Sequence, residues 1–171
     1  MLFRSLVLMF DGDRAGVQAA ERAVRELIQS RLPARIALMS DADGGAKDPA
    51  DVVTARDGED PEWVAERRAR FADVLDGAEP MLTVWFRLLR RRLDLTQAVH
   101  VEAAARECAA LLDAVGEPVR QAGLMQEMAR HLAIPAPTLE RLLRKQGEAR
   151  LAQRREAAQE TARSEEHTSE L

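Results

Sequence analysis

Asp11 and Asp13 stand one residue apart, between the apolar run Leu6-Val7-Leu8-Met9-Phe10 and a stretch of helical periodicity. Two carboxylates at the end of a buried strand face one side, because side chains alternate along a strand. Anions held that close repel unless a cation lies between them, which points to a hard, oxygen-liganded ion such as Mg²⁺. A third acid, Asp48, follows the second apolar run, Ala34 to Met39. Three carboxylates on one sheet edge can hold one or two Mg²⁺ ions beside a phosphate, align it, and neutralise charge that develops during phosphoryl transfer. Arg14 and Lys47 flank the acids, either as contacts to phosphate oxygens or as surface counter-charges. Gly12 allows the sharp turn between the acids, and Gly16 allows close packing of the helix that follows.

The elements that must position these residues follow from periodicity. Leu6 to Phe10 reads as a strand. Ala15 to Leu32 places Val17, Ala20, Val24, Leu27 and Ile28 at helical spacing, and Ala34 to Met39 reads as a second strand. Strand, helix, strand is a βαβ unit with parallel strands, and ligands of such sheets gather beyond the carboxyl ends of the strands. Asp48-Pro49-Ala50-Asp51 has the grammar of a helix start: Asp at the N-cap, Pro in the first turn, then an acid. Asp60-Pro61-Glu62 repeats it and opens a helix through Trp63 and Val64 that is expected to run on, with a break, to Leu75. Asp76 to Pro80 is the expected domain boundary. Beyond it four helical segments follow, Met81 to Leu93, Gln97 to Val115, Pro118 to Leu132 and Thr138 onward, which predicts a small bundle. The expected fold class is α/β and then all-α.

Composition narrows the setting. Hydrophobic residues are 46% and charged residues 32% of 171, with no tyrosine, so the core must rest on Leu, Val, Ala and Met. Trp63, Phe71, Trp85 and Phe86 are expected in that core. No apolar run approaches the roughly 20 residues of a membrane span, and no signal peptide is visible. Cys108 is the only cysteine, so no internal disulfide or cysteine-rich zinc site can form, and a reducing, cytoplasmic setting fits. Net charge is −5 over residues 1–80 and +3 over 81–160, as for a metal site followed by a separate helical module. Arg90-Arg91-Arg92 is the densest basic cluster, read either as a contact to nucleic-acid phosphates or as cations complementing a helix C-terminus. His100 and His131 are expected as partly exposed helix residues.

The string Phe10-Asp11-Gly12-Asp13-Arg14-Ala15-Gly16, followed by Lys47-Asp48-Pro49, resembles the Toprim domain of bacterial DnaG-type DNA primases. Glu79-Pro80 leading into Phe86-Arg87-Leu88-Leu89, Leu93-Asp94-Leu95-Thr96, and Leu132-Ala133-Ile134 leading into Leu139 to Leu143 resemble that family's helical subdomain. The resemblance covers roughly residues 5–145. It implies a partial Toprim subdomain over residues 1–78, a helical subdomain over 79–145, and a charged linker or extended helix over 146–162, helical or disordered. It implies metal ligation, by Mg²⁺ or Mn²⁺, through Asp11, Asp13 and Asp48. Ala50 stands where the family has its next Asp, so Asp51 is read either as a shifted ligand or as a helix cap. Implied partners are a single-stranded DNA template and ribonucleoside triphosphates, joined into short RNA primers by nucleotidyl transfer at the replication fork in the nucleoid.

The family's zinc-binding module, its catalytic Glu motif, and the module that docks on the replicative helicase find no counterpart in these residues. The chain is therefore expected to be a piece of a larger enzyme, inactive alone. Residues 163–171 read like the in-frame translation of a sequencing adapter and are set outside fold reasoning, so His167 carries no weight. Three rival readings are weighed. A haloacid-dehalogenase-like phosphatase would use Asp11 as nucleophile, but Ala15-Gly16 departs from its pattern. Another Toprim protein such as a topoisomerase would need a tyrosine. A non-catalytic interaction module would use the helical half.

Overall fold

The computed structural model describes residues 6–39 and 60–169, with side chains placed through residue 158. The chain divides into two compact units, Met1–Leu93 and Asp94–Leu171.

In the first unit, β1 (Leu6–Phe10) and β2 (Ala34–Leu38) pair in parallel, with Leu6 opposite Ala34 and Phe10 opposite Leu38. The Met39 N–H donates to the Phe10 carbonyl at 2.8 Å, carrying the pairing one residue further. Between them runs α1 (Arg14–Leu27), so the βαβ unit is present. The helix stops at Leu27 instead of reaching Leu32. Its last N–H bonds tighten, Ser30 to Leu27 at 2.9 Å, and Pro33 biases Leu32 towards extended backbone ahead of β2.

A third strand was invisible to periodicity. After α2 (Pro61–Asp76), β3 (Glu79–Pro80) pairs antiparallel with β2, Glu79 opposite Ile36 and Pro80 opposite Arg35, giving a mixed sheet in the order β1-β2-β3. Two residues with a proline carry no strand pattern. Arg35 holds the connection instead: its Nε donates to the Ala78 carbonyl at 2.9 Å and its Nη2 to the Asp76 carbonyl at 3.0 Å. The Asp76 carbonyl is one that the end of α2 leaves without a helical partner, and Ala78 lies just beyond the cap. So within Asp76 to Pro80, read as a boundary, Glu79 and Pro80 pair into the sheet, and α3 (Met81–Arg92) packs on α1 and β2. The first unit accordingly ends at Leu93.

The core of this unit is Ala20 and Val24 from α1, Ile28 at its C-cap, Ile36 and Ala37 from β2 with Met39 just beyond, Val64 from α2, Ala78, and seven residues of α3. Trp85 and Phe86 are buried and meet edge to face, with centroids 4.8 Å apart. Two expectations fail here, and Phe71 of α2, also expected in the core, is only half-buried. Strand β1 is not buried: none of its five residues is, and Val7 is 37% exposed, because β1 is the sheet edge and no described strand lies beyond it. Trp63 is not in the core either. It is half exposed, with the Arg67 guanidinium 4.6 Å from its ring, because Val64 is the residue of that turn that faces inward.

The second unit contains α4 (Ala98–Asp113), α5 (Pro118–Leu132) and α6 (Ala136–Ser169). Its core is Ala104, Ala105, Cys108, Ala109, Leu111, Leu112, Val115, Met128, Ala129, Leu132 and Leu139. Small residues on α4 let its neighbours approach closely. Gln121 of α5 donates to the Leu112 carbonyl at 2.9 Å, satisfying the end of α4. Helix α5 closes with Ala133 in the left-handed region (φ 53°), where the Ile134 N–H returns to the Ala129 carbonyl at 3.1 Å. The charged segment beyond Gln146 is helical, continuing α6 to Ser169. Burial, with the neighbouring Glu107 charge, pushes the Cys108 thiol up to about 12, so it is an inert core residue. No helix among the described residues is long and apolar enough to cross a membrane.

Asp94 organises the entry to α4. Its Oδ1 accepts from the Thr96 hydroxyl at 2.7 Å and the Thr96 N–H at 3.1 Å, and its Oδ2 from Gln97 Nε2 at 3.0 Å. The Thr96 bonds first, then Gln97 and the nearby His100, hold its carboxyl below the usual 3.8. A depressed folded value means a stabilisation fully present above the unfolded value and lost as pH falls through the folded one. Asp94→Ala should therefore lower the melting temperature of the second unit at neutral pH. The gap between variant and parent should close at the acid end of a pH series followed by thermal unfolding.

Candidate metal centre at the strand ends

The carboxyl ends of β1 and β2 lie side by side at Phe10 and Leu38. Strand β1 ends at Phe10, so Asp11, Gly12 and Asp13 form a turn, not a strand continuation. Strand alternation therefore does not set the direction of the two acids. Helix capping sets that of Asp13. Asp13 is the N-cap of α1, in extended backbone (φ −72°, ψ 174°), and its Oδ1 accepts the Gly16 N–H at 2.7 Å. The Asp13 carbonyl accepts from Val17 N–H at 3.0 Å and starts the helix ladder. One carboxylate oxygen of Asp13 is thus committed to the cap. Asp11 is half-buried where the strand leaves the sheet, and Asp13 is exposed.

Gly16 fixes how tightly this turn closes. A Cβ built on it would lie 2.1 Å from the Asp11 carbonyl oxygen and 2.8 Å from its carbon. The first turn of α1 therefore rests directly on the Asp11 peptide, and only a residue without a side chain permits that approach.

An open groove of about 380 Å³ lies against the turn. Among the described residues it is lined by Gly12, Asp13 and Val17, by Leu38 and Met39 at the end of β2, and by Arg87 and Arg91 of α3. Arg87 is ion-paired with Glu79. Neither arginine was singled out for this place by sequence reading, although their i, i+4 spacing on one helix face was there to see. Arg14 is exposed in the first turn of α1, outside the lining of the groove, with no hydrogen bond or ion pair among the described residues.

Asp48, Asp51 and Lys47 lie outside the described residues. Among the described residues no group of three or more His, Cys, Asp or Glu stands ready for a metal ion. The donor set that is described, carboxylates alone at Asp11 and Asp13, suits a hard cation such as Mg²⁺ or Mn²⁺ and not zinc. His100 is not part of it: it belongs to the second unit, where its Nδ1 accepts the Asp94 N–H at 3.2 Å.

No family model and no curated relative matches the sequence. Solved structures match the fold. A DNA primase domain from Pseudomonas aeruginosa is similar with a TM-score of 0.56 and 21% identity, over 84% of this chain and 41% of that one. The primase catalytic core of E. coli is similar with a TM-score of 0.54 and 22% identity, over 77% and 39%. A DnaG primase catalytic domain bound to single-stranded DNA is similar with a TM-score of 0.54 and 22% identity, over 79% and 39%. The chain therefore shares the fold of part of these primase catalytic cores, a small mixed sheet followed by helices, and spans about two-fifths of the solved chains it matches.

Proposed function

We propose that this chain is the metal-binding segment of a DNA primase, which joins ribonucleotides on a single-stranded DNA template by metal-dependent nucleotidyl transfer. The observation that carries the reading is the Asp11-Gly12-Asp13 turn. It sits at the carboxyl ends of two parallel strands, is closed by the Asp13 cap and the Gly16 contact, and belongs to a fold similar to primase catalytic cores.

Asp11 and Asp13 would hold Mg²⁺ or Mn²⁺, with Asp48 as the expected third ligand. The ion supplies charge neutralisation and alignment for the phosphate that is transferred. The chain's own residues do the positioning. The cap fixes the rotamer of Asp13, the backbone contact at Gly16 fixes Asp11 relative to α1, and the N-terminal end of α1 favours negative charge in front of it. The segment matches about two-fifths of the solved primase chains, so in this reading primer synthesis belongs to a larger polypeptide and not to this segment. Zinc and the replicative helicase, in this reading, belong to other modules of that polypeptide.

Calorimetric titration of the purified chain with a ribonucleoside triphosphate tests the reading. Binding is expected with Mg²⁺ or Mn²⁺ present, lost in the Asp11→Ala plus Asp13→Ala variant, and accompanied by no primer synthesis on single-stranded DNA. Nucleotide binding with the same affinity in the double variant would contradict the assignment of the acids. De novo primer synthesis by the chain alone would contradict the assignment of that activity to a larger polypeptide.

A further inference from the structure

The last turn of α3 carries Arg90, Arg91 and Arg92, three cations that complement a helix C-terminus equally well by charge. The structure separates them. The Arg90 guanidinium lies 5.9 Å from the Phe86 ring, and Arg92 Nε is 3.3 Å from Glu21 Oε1 of α1. Arg91 instead lines the groove beside Gly12 and Asp13, with no hydrogen bond or ion pair among the described residues. One helical turn earlier Arg87 lines the same groove, with its guanidinium fixed by Glu79. Opposite charges thus share a groove without closing on each other: neither arginine is ion-paired with Asp13.

We propose that Arg91, with Arg87 beside it, is a phosphate-oxygen clamp facing the Asp11-Gly12-Asp13 turn. A planar guanidinium presents paired N–H donors that match two oxygens of one phosphate, and two such groups four residues apart span neighbouring phosphates. The arrangement leaves the acid wall to a cation and the basic wall to the phosphate which that cation accompanies. This deepens the reading of the acids as a metal site and rests on it for its role. The clamp itself is a charge on α3 and needs no metal to be measured.

The phosphate has two sources, the polyphosphate of a nucleotide and the backbone of a nucleic-acid strand. Both are tested on the full chain, metal-free in the presence of EDTA, by following arginine Nε–Hε resonances in ¹H–¹⁵N spectra. Tripolyphosphate is the first probe and a thymidine homopolymer the second. The expected result is a saturable shift of Arg91 and Arg87 with unmoved Arg90 and Arg92. Arg91→Ala is expected to weaken that binding about tenfold, the order for one charge-assisted contact. A response to tripolyphosphate assigns the clamp to nucleotide phosphates, and a response to the homopolymer alone assigns it to a strand. Shifts spread evenly over all exposed arginines, or unchanged affinity in an Arg91→Ala protein with an intact amide spectrum, would overturn the clamp. Metal-dependent nucleotide binding that fails while the clamp persists would overturn the metal reading alone.

Discussion

Gly16→Ala is expected to destabilise the first unit by about 3 kcal/mol or more and to weaken metal binding at the strand ends along with it. Alanine in a helix is ordinarily worth about 0.5–1 kcal/mol over glycine, so the local propensity argues for the opposite sign. The contact decides. The added methyl would sit 2.1 Å from the Asp11 carbonyl oxygen, and the atoms it meets are backbone, with no flexible side chain to swing away. Relief requires α1 to move off the Asp11 peptide, and that movement carries the Asp13 cap with it. Chemical denaturation read by a probe in the first unit measures the loss of stability. Unchanged or raised stability would show that the Asp11–Gly16 approach is not as close as described.

Phe86→Ala is expected to cost the first unit about 3–5 kcal/mol, the usual range for truncating a fully buried aromatic ring. Phe86 has no exposed surface, contacts Trp85 edge to face, and lies on the helix that bridges α1 and the sheet. Against a typical stability of about 5–15 kcal/mol for a whole domain, such a loss leaves little of this small sheet folded. Phe86→Leu keeps most of the volume and should cost under about 1.5 kcal/mol. The pair of variants, compared by denaturant unfolding, separates cavity formation from loss of the ring contact. Because α3 also delivers Arg87 and Arg91, the alanine variant should lose phosphate binding and the leucine variant should keep it.

Those two positions also show where sequence was enough and where it was not. Phe86 was legible as core from apolar periodicity alone, and so were α3, α5 and the βαβ unit, because burial on one face imposes a period that composition reveals. Gly16 was legible as a close-packing glycine, but not its partner. The approach is to the Asp11 peptide five residues earlier, a backbone contact with no side-chain pattern. Trp63 was misplaced because a tryptophan in a helix reads as core, whereas the face of α2 that turns inward is set by Val64. Strand β3 is two residues long and held by Arg35 from across the sheet, so it has no local signal. At the site, the acids were visible from their type and spacing. The orientation of Asp13 came from helix capping, not strand alternation. The basic wall of the groove could be found only after α3 was laid against the strand ends.

The most direct measurement of the central claim is a Mn²⁺ titration of the purified chain followed by the electron paramagnetic resonance signal of the free ion. The wild-type chain should deplete that signal, and Mg²⁺ should restore it by competition. The Asp11→Ala plus Asp13→Ala variant, still folded by circular dichroism, should leave the signal undiminished. Equal depletion by the wild-type chain and the folded double variant would contradict the claim that the Asp11-Gly12-Asp13 turn is a metal site.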